Sequence, residues 1–394
     1  MKKQLQIFFS FLRFSIGSDK EIPPTLKEAD WEELYTIAQK QCLVGVLFDG
    51  IKRLPADVGM DKGLLFQWMA QNQTLRKANA RLDKAAVEVA EWFGRKGFRT
   101  CVLKGQGNAL LYPPGMERTP GDIDLWVDGG DRKVVSFVRS LSPDEKVCYH
   151  HIGFPEYNGV EVEVHFRPSF LFCFRHNRRL QGYYERVMDE QFAHRVKLGE
   201  QGEVAVPKAE FNLIFQLTHI FTHLMNEGIG LRQLLDYFFL LKNTNFIGNT
   251  DGVSGNTNGG ASFVNTDFTD NTDRIGGNAD GVDRRLLQDE LRRLGLWEFA
   301  GAVMYIMKEV FGLEDNRLIV PPDVKRGRLV LKEVLEAGNF GQYDKRNWFG
   351  HSALGHNLQR LYRDMRLVRF FPAEALSEPF FRIWHFFWRK RIVR

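Results

Sequence analysis

The sequence has no run approaching the ~18 uninterrupted apolar residues that a membrane-spanning helix needs, so no such helix is expected. It has no C-x-x-C pair. Cys42, Cys101, Cys148 and Cys173 are scattered singly, so neither a zinc site nor a disulfide framework is indicated, and a reducing compartment is the simpler setting. It also lacks a strong charge of either sign. The net charge of +5 is compatible with an anionic ligand such as a nucleotide, but many ordinary soluble proteins carry as much. The opening stretch, MKKQLQIFFSFLRFSIG, begins like a secretory signal with Lys2 and Lys3. Gln6 and Arg13 interrupt its apolar run and no small-residue cleavage site follows, so an amphipathic first helix and a cytoplasmic protein are expected.

A chain of 394 residues is too long for one ordinary core and suggests two or three compact units. Residues 1–95 read as an N-terminal helical region. Trp31, Leu34, Ile37 and Ala38 recur at helical spacing, and Thr25 ahead of Glu28 is a candidate cap. From about Leu64 to Arg95 the composition favours one long helix, with no proline and no glycine until Gly94. Residues 96–205 change character. Arg99–Leu103 is β-prone and ends at Lys104-Gly105. Ile123, Leu125 and Val127 alternate with Asp122, Asp124 and Trp126. Helix is expected near 131–141, and strands near 146–154 and 160–167, joined by a turn over Pro155–Gly159. Residues 206–394 read as a C-terminal helical region, with helices over 209–242, 284–312 and after 355. A stretch at 243–283 rich in Asn, Gly, Thr and Asp interrupts it and reads as a flexible insertion. The expected class is α+β: a small mixed sheet flanked by helices at both ends.

The chemistry centres on Arg118-Thr119-Pro120-Gly121-Asp122-Ile123-Asp124. Side chains two apart on a strand share a face, so Asp122 and Asp124 project together. Two carboxylates so close repel each other unless a cation lies between them. Magnesium takes oxygen ligands and is commonly held by one or two carboxylates plus substrate phosphates. In Val160–Phe166 the valines fill one face, while Glu161, Glu163 and His165 share the other. If this strand pairs beside the first, Glu163, with Glu161 as its rival, can complete a triad with the aspartates, able to share a metal and to orient or deprotonate an acceptor hydroxyl. Leu103-Lys104-Gly105-Gln106-Gly107 supplies a glycine turn between strand and helix, whose free N–H groups suit phosphate, with Lys104 adding charge.

The ordered set Leu103-Lys104-Gly105, Arg118 with Asp122-Ile123-Asp124, and Val162-Glu163-Val164-His165 resembles an uncharacterised bacterial nucleotidyltransferase family of the polymerase-beta-like superfamily. Thr222-His223 and Leu231-Arg232-Gln233-Leu234-Leu235-Asp236 resemble that family's helical region. The resemblance implies magnesium (or manganese) at Asp122, Asp124 and Glu163. It also implies a nucleoside triphosphate near Lys104, Gly105, Arg118 and Gly121, and transfer of its monophosphate to an acceptor with release of pyrophosphate. One departure stands out. The superfamily usually has Gly-Ser or Gly-Gly where this chain has Gly105-Gln106, which leaves open an inactive nucleotide-binding or interaction protein on the same scaffold.

Other residues carry two readings. Arg118 suits either phosphate or a nearby carboxylate. His150 and His151 precede a turn and could reach the cleft. His219 and His223 have i, i+4 zinc spacing but lack the metalloprotease glutamate, and a packed pair is the expectation. Asp236 is expected to accept from Arg232. The basic aromatic segment Phe380–Arg391 is expected to dock on the helical region, with contact to an anionic surface as the alternative.

Overall fold

In the computed structural model residues 3–55, 59–247, 281–346 and 353–393 are described. Helices α1 (Lys3–Ser15), α2 (Trp31–Lys40), α3 (Val44–Ile51) and α4 (Lys62–Arg95) open the chain. The central segment runs β1 (Thr100–Leu103), α5 (Gly105–Ala109), β2 (Ile123–Val127), α6 (Gly130–Leu141), β3 (His151–Tyr157) and β4 (Val160–His165). It continues through α7 (Phe174–Ala193), β5 (Arg195–Lys197) and β6 (Glu203–Ala205). Next come α8 (Ala209–Asn226), α9 (Leu231–Asn243), β7 (Phe246–Ile247) and β8 (Val282–Asp283). The last helices are α10 (Arg284–Leu294), α11 (Trp297–Glu309), α12 (Val324–Ala337), α13 (Ala353–Leu367) and α14 (Pro372–Ile392). The fold is α+β. Among the described residues no helix is long and apolar enough to cross a membrane.

The sheet has the order β1-β2-β4-β3. The pair β1/β2 is antiparallel, β2/β4 parallel and β3/β4 antiparallel. The hairpin turn is tighter than the sequence suggests. Strand β3 continues through Pro155, with a register shift between Phe154 and Tyr157, as an edge strand permits for a residue without N–H. The reversal is made by Asn158 and Gly159 alone, at φ 51° and 74°, a left-handed pair that matches strand twist and that Asn-Gly adopts readily.

The two faces of the sheet differ. Ile123, Leu125 and Val127 of β2 and Val160, Val162 and Val164 of β4 form one hydrophobic cluster with the second half of α4 and with α6. On the opposite face Trp126 packs against Phe192 and Phe211, at ring separations of 4.7 and 5.7 Å. Those rings belong to a second, larger cluster that combines α1–α3 with the C-terminal helices. Asp124 and His165 lie on the same face as Trp126, so the polar residues of the sheet point toward the helical core.

Helix α4 joins the clusters. Its early Leu64 and Trp68 belong to the larger one, and Leu82 through Phe93 to the sheet layer. At 34 residues it spans roughly 50 Å. Asp61 caps it, accepting from the Leu64 N–H at 3.1 Å. Thr25 is not the cap of α2. Residues 24–28 form a 3₁₀ turn, and Asp30 accepts from the Glu33 N–H at 3.0 Å, because its short carboxylate reaches the exposed first turn.

The apolar 209–242 stretch is two helices. They break at Glu227–Gly230, where Gly228 takes φ 107°, and the Gln41 amide oxygen receives the freed Leu231 N–H at 2.8 Å. Sequence periodicity also passed over α7 and α12. The flexible-insertion reading for 243–283 falls mainly on residues outside those described. Its flanks, Phe246–Ile247 and Val282–Asp283, pair as parallel β7 and β8.

Phe93 is fully buried in the sheet layer, with rings of Trp92, Phe98, Phe137 and Phe154 at 5.0, 6.1, 5.9 and 5.5 Å. Phe93→Ala should cost about 3–5 kcal/mol, read as a lower urea midpoint. An unchanged midpoint would show that this layer does not limit stability.

Candidate active site

Register decides which acidic groups meet. Asp124 pairs across β2/β4 with Glu163, and Leu103 across β1/β2 with Asp124. The end of β1, the middle of β2 and β4 therefore converge on one point. Ligand atoms of Asp124, Glu163 and His165 lie within 4.8 Å of one another. Asp122 stands one residue ahead of β2 and lines the same cleft as Asp124, together with Lys104, Gly105, Arg118 and Gly121. Glu163 is not part of that cleft wall. It approaches Asp124 from β4 with its side chain 34% exposed.

Asp124 is 2% exposed, and a buried carboxylate requires compensation. Lys104 Nζ lies 2.8 Å from its Oδ1 and His165 Nε2 2.9 Å. Neither approach has hydrogen-bond alignment at that oxygen, which remains without a hydrogen-bonding partner. Burial pushes the Asp124 carboxyl up, but Lys104 and His165 together pull it below its ordinary value. For His165 burial works downward, and contacts with Asp124 and Glu163 overcome it, raising the imidazole to about 9. The Asp124 charge, then burial, raise Asp122 to about 6. An unaligned buried carboxylate oxygen, with a second aspartate and a glutamate close by, is a hard oxygen set, and it fits a small divalent cation such as magnesium.

Lys104 reaches Asp124 from a backbone held at φ 52°, ψ −138°, outside the regions a lysine prefers, at a cost of order 1–3 kcal/mol. Its ammonium also contacts His219 Nε2 of α8 at 3.1 Å. Gly105 follows at φ +36°, its missing Cβ facing the Asp122 carbonyl. Gln106 is 4% exposed with Oε1 unpartnered. Asn108 accepts from Asn212 and Gln216 at 3.2 and 3.0 Å and so ties α5 to α8.

Arg118 takes the carboxylate of its two options. Its Nε and Nη2 each donate to Asp236 at 2.8 Å, and Tyr112 Oη adds a third bond at 2.7 Å. Asp236 is thus an internal acceptor, but for Arg118. Arg232 lies four residues before Asp236, on the same turn-spaced face, yet it extends toward the segment before β2. There it donates to the Thr119 carbonyl at 3.1 Å. It is buried, its Nε is unpartnered, and it lines the cleft. Among the described residues no carboxylate comes within ion-pair distance of it. Sequence reasoning treated Arg232 only as a partner for Asp236. Its signal, an arginine in the Leu231–Asp236 run that resembles the family, was present but had no fixed destination.

Histidines stand around the same site. His151 Nδ1 lies 3.4 Å from Glu163 Oε2 and 3.1 Å from His150 Nε2, so this pair reaches the acidic site. The His219 and His223 rings are 4.2 Å apart. Burial, and next the Lys104 charge, hold His219 well below its ordinary value.

The description "uncharacterised nucleotidyltransferase" belongs to the family model that matches residues 27–251, more than half of the chain. No curated protein and no solved structure matches.

The Arg118–Asp236 pair makes a pH prediction. Burial raises the Asp236 carboxyl, but Arg118 outweighs it and leaves the group below its ordinary value. A depressed folded-state value means the stabilisation is complete above the unfolded value of about 4 and disappears as pH falls through the folded value. Between about pH 5 and about pH 3 the wild-type urea midpoint should therefore fall more than that of Arg118→Met/Asp236→Leu. Asp236→Asn, which leaves Arg118 buried and unpaired, should cost about 3–5 kcal/mol at neutral pH. Equal acid sensitivity in wild type and double variant would exclude this role.

Proposed function

Because the chain belongs to this uncharacterised nucleotidyltransferase family, we propose that it transfers a nucleoside monophosphate from a nucleoside triphosphate to an acceptor hydroxyl and releases pyrophosphate. The observation that carries the reading is the in-register pairing of Asp124 with Glu163, with Asp122 lining the same cleft as Asp124. A divalent cation held by Asp122, Asp124 and Glu163, magnesium or manganese, supplies positive charge against the phosphate oxygens.

The remaining work belongs to the chain's own groups. The triphosphate enters over Gly105 and Gly121, where the backbone has no side chain to obstruct close approach. Arg232 faces it from α9 and Lys104 from the end of β1. The acceptor oxygen attacks the α-phosphorus, the bond from that phosphorus to the bridging oxygen breaks, and pyrophosphate leaves with that oxygen. Glu163 takes the hydroxyl proton. Burial raises its carboxyl, but His165 and His151 hold it below its ordinary value, so it is ionised and ready to accept. Arg118, bound to Asp236, fixes the loop that carries Gly121 and Asp122 and acts as a positioning residue.

One observation favours the alternative, nucleotide binding without transfer. Gln106 is buried with an unpaired oxygen where the superfamily usually has a small residue. Measurement separates the two. Purified protein with each nucleoside triphosphate and manganese should release pyrophosphate. Glu163→Gln should lower the rate about 100-fold or more while nucleotide still binds. Asp122→Ala should reduce manganese binding, followed by electron paramagnetic resonance. Nucleotide binding with no pyrophosphate from any triphosphate, in the presence of a range of hydroxyl acceptors, would favour the inactive reading.

A further inference from the structure

Beyond His219 the cleft adjoins a second and larger cavity. It has a volume of about 880 Å³, is open to solvent, and lies between the sheet end of the molecule and the α13–α14 hairpin. His219 lines both spaces. Its Nε2 is 3.1 Å from Lys104 Nζ, which is 2.8 Å from Asp124. The groove thus approaches the acidic site across one imidazole and one ammonium.

The groove is apolar on one side and cationic on the other. Phe170 stacks on Phe381 at 5.3 Å and Tyr149 meets Phe381 at 5.1 Å, forming a rigid aromatic floor. Ile383, Phe386 and Phe387 of α14 line it while remaining 60%, 45% and 59% exposed. Large apolar side chains left this open are commonly covered by a ligand or partner. Four cationic side chains line the same space: Lys146, Arg360, Arg382 and Arg389. Arg360 and Arg382 approach the buried Glu378 at 3.8 and 3.2 Å. Lys146 and Arg389 have no carboxylate within ion-pair distance among the described residues. Two uncompensated cations beside an open aromatic wall complement a molecule that carries negative charge on an apolar body.

This step rests on the nucleotidyl-transfer reading. We infer that the groove is the acceptor site and that the acceptor is an anionic amphiphile. Its apolar body lies on Phe381, Ile383, Phe386 and Phe387, its acidic group pairs with Lys146 and Arg389, and its hydroxyl passes His219 to reach the cleft. In the transfer the acceptor oxygen bonds to the α-phosphorus, pyrophosphate departs, and the hydroxyl proton goes to Glu163. The space is a cavity with residues on several sides, which suits single molecules over a flat lipid surface.

The test uses the full chain with 12-hydroxydodecanoate, which combines an apolar chain, a carboxylate and a hydroxyl, and with ATP and manganese. Calorimetry should detect binding of 12-hydroxydodecanoate, and its addition should accelerate pyrophosphate release. Lys146→Glu, Arg389→Glu and Phe387→Asp, all at solvent-accessible side chains, should each raise its Kd and apparent KM at least tenfold. The Kd for ATP should stay unchanged, which also reports that the variants are folded. Dodecanol, without the charge, should bind at least tenfold more weakly. Failure of 12-hydroxydodecanoate to bind while ATP binds would overturn the inference and leave the transfer reading standing. Binding insensitive to all three substitutions would overturn it too, as would association only with phosphatidylglycerol vesicles. If the amphiphile binds but ATP does not, the transfer reading fails and the acceptor role falls with it, leaving only a site for an amphiphile.

Discussion

A carboxylate with 2% exposure governs this architecture. Asp124 cannot stay ionised inside the protein without cations, and the fold provides two of them from different strands. Lys104 arrives from the end of β1 through a left-handed backbone, and His165 from β4, two residues beyond Glu163. Lys104 is also held from α8 by His219. One buried charge thereby fixes the relative positions of β1, β2, β4 and α8. The usual price of such an arrangement is desolvation. It persists here because the positive charge is matched to the negative on several sides, and a divalent cation added among these carboxylates would meet a ready oxygen set.

The surroundings of that charge explain where the cleft lies. The sheet buries its valines against α4 and α6, and turns its polar residues toward the helical core. The seam between them is polar where the site stands. Asn108 reaches Asn212 and Gln216, Thr222 donates to the Phe170 carbonyl at 2.7 Å, and Arg118 clasps Asp236. Such contacts are directional and satisfied only in one arrangement, so they set geometry more than they add net stability. Away from the site the seam is aromatic, with Trp126 between Phe192 and Phe211. Apolar packing holds the layers together, and the polar contacts hold them at the right angle for a cleft.

Local pattern was enough for much of this. Alternation identified both strands and put Asp122 with Asp124 on one face of the first and Glu161, Glu163 and His165 on one face of the second, because side-chain direction within a strand depends only on parity; the pairing of Asp124 with Glu163 needed the register between them. The long α4 was equally legible from its composition. Whatever depended on a distant partner was not. Arg118 had two equivalent destinations until α9 brought Asp236 to it, 118 residues away in sequence. The destination of His165 was open because nothing local shows that Asp124 will lie 2.9 Å from its Nε2. The break between α8 and α9 was hidden by apolar residues on both sides of Gly228 and Gly230, and Gln41, which accepts the freed Leu231 N–H, lies in the turn after α2. The polar α7 offered only a weak apolar stripe, Leu180, Tyr183 and Tyr184, whose burial comes from α8 rings such as Phe211.

The charge inventory leads to a last step about how a triphosphate would be met. Arg118 is committed to Asp236, while Lys104 and His165 are committed to Asp124, and His165 also to Glu163. His219 and His150 are held well below their ordinary values, chiefly by burial, so they are neutral near pH 7. Among the described residues that line the cleft, Arg232 is the one cation with no carboxylate in ion-pair distance. A single guanidinium is too little for the several negative charges of a triphosphate in a space already holding Asp122 and Asp124, where Coulomb repulsion at short range is large. On the transfer reading, nucleotide and divalent cation must therefore enter together, each supplying the charge that the other needs. A protein with its own basic phosphate cradle could bind the nucleotide alone. This one has assigned its lysine and one of its arginines to holding acidic groups in place, so a phosphate ligand would be met by the glycine turn and by a cation held on the carboxylates, more than by any basic patch.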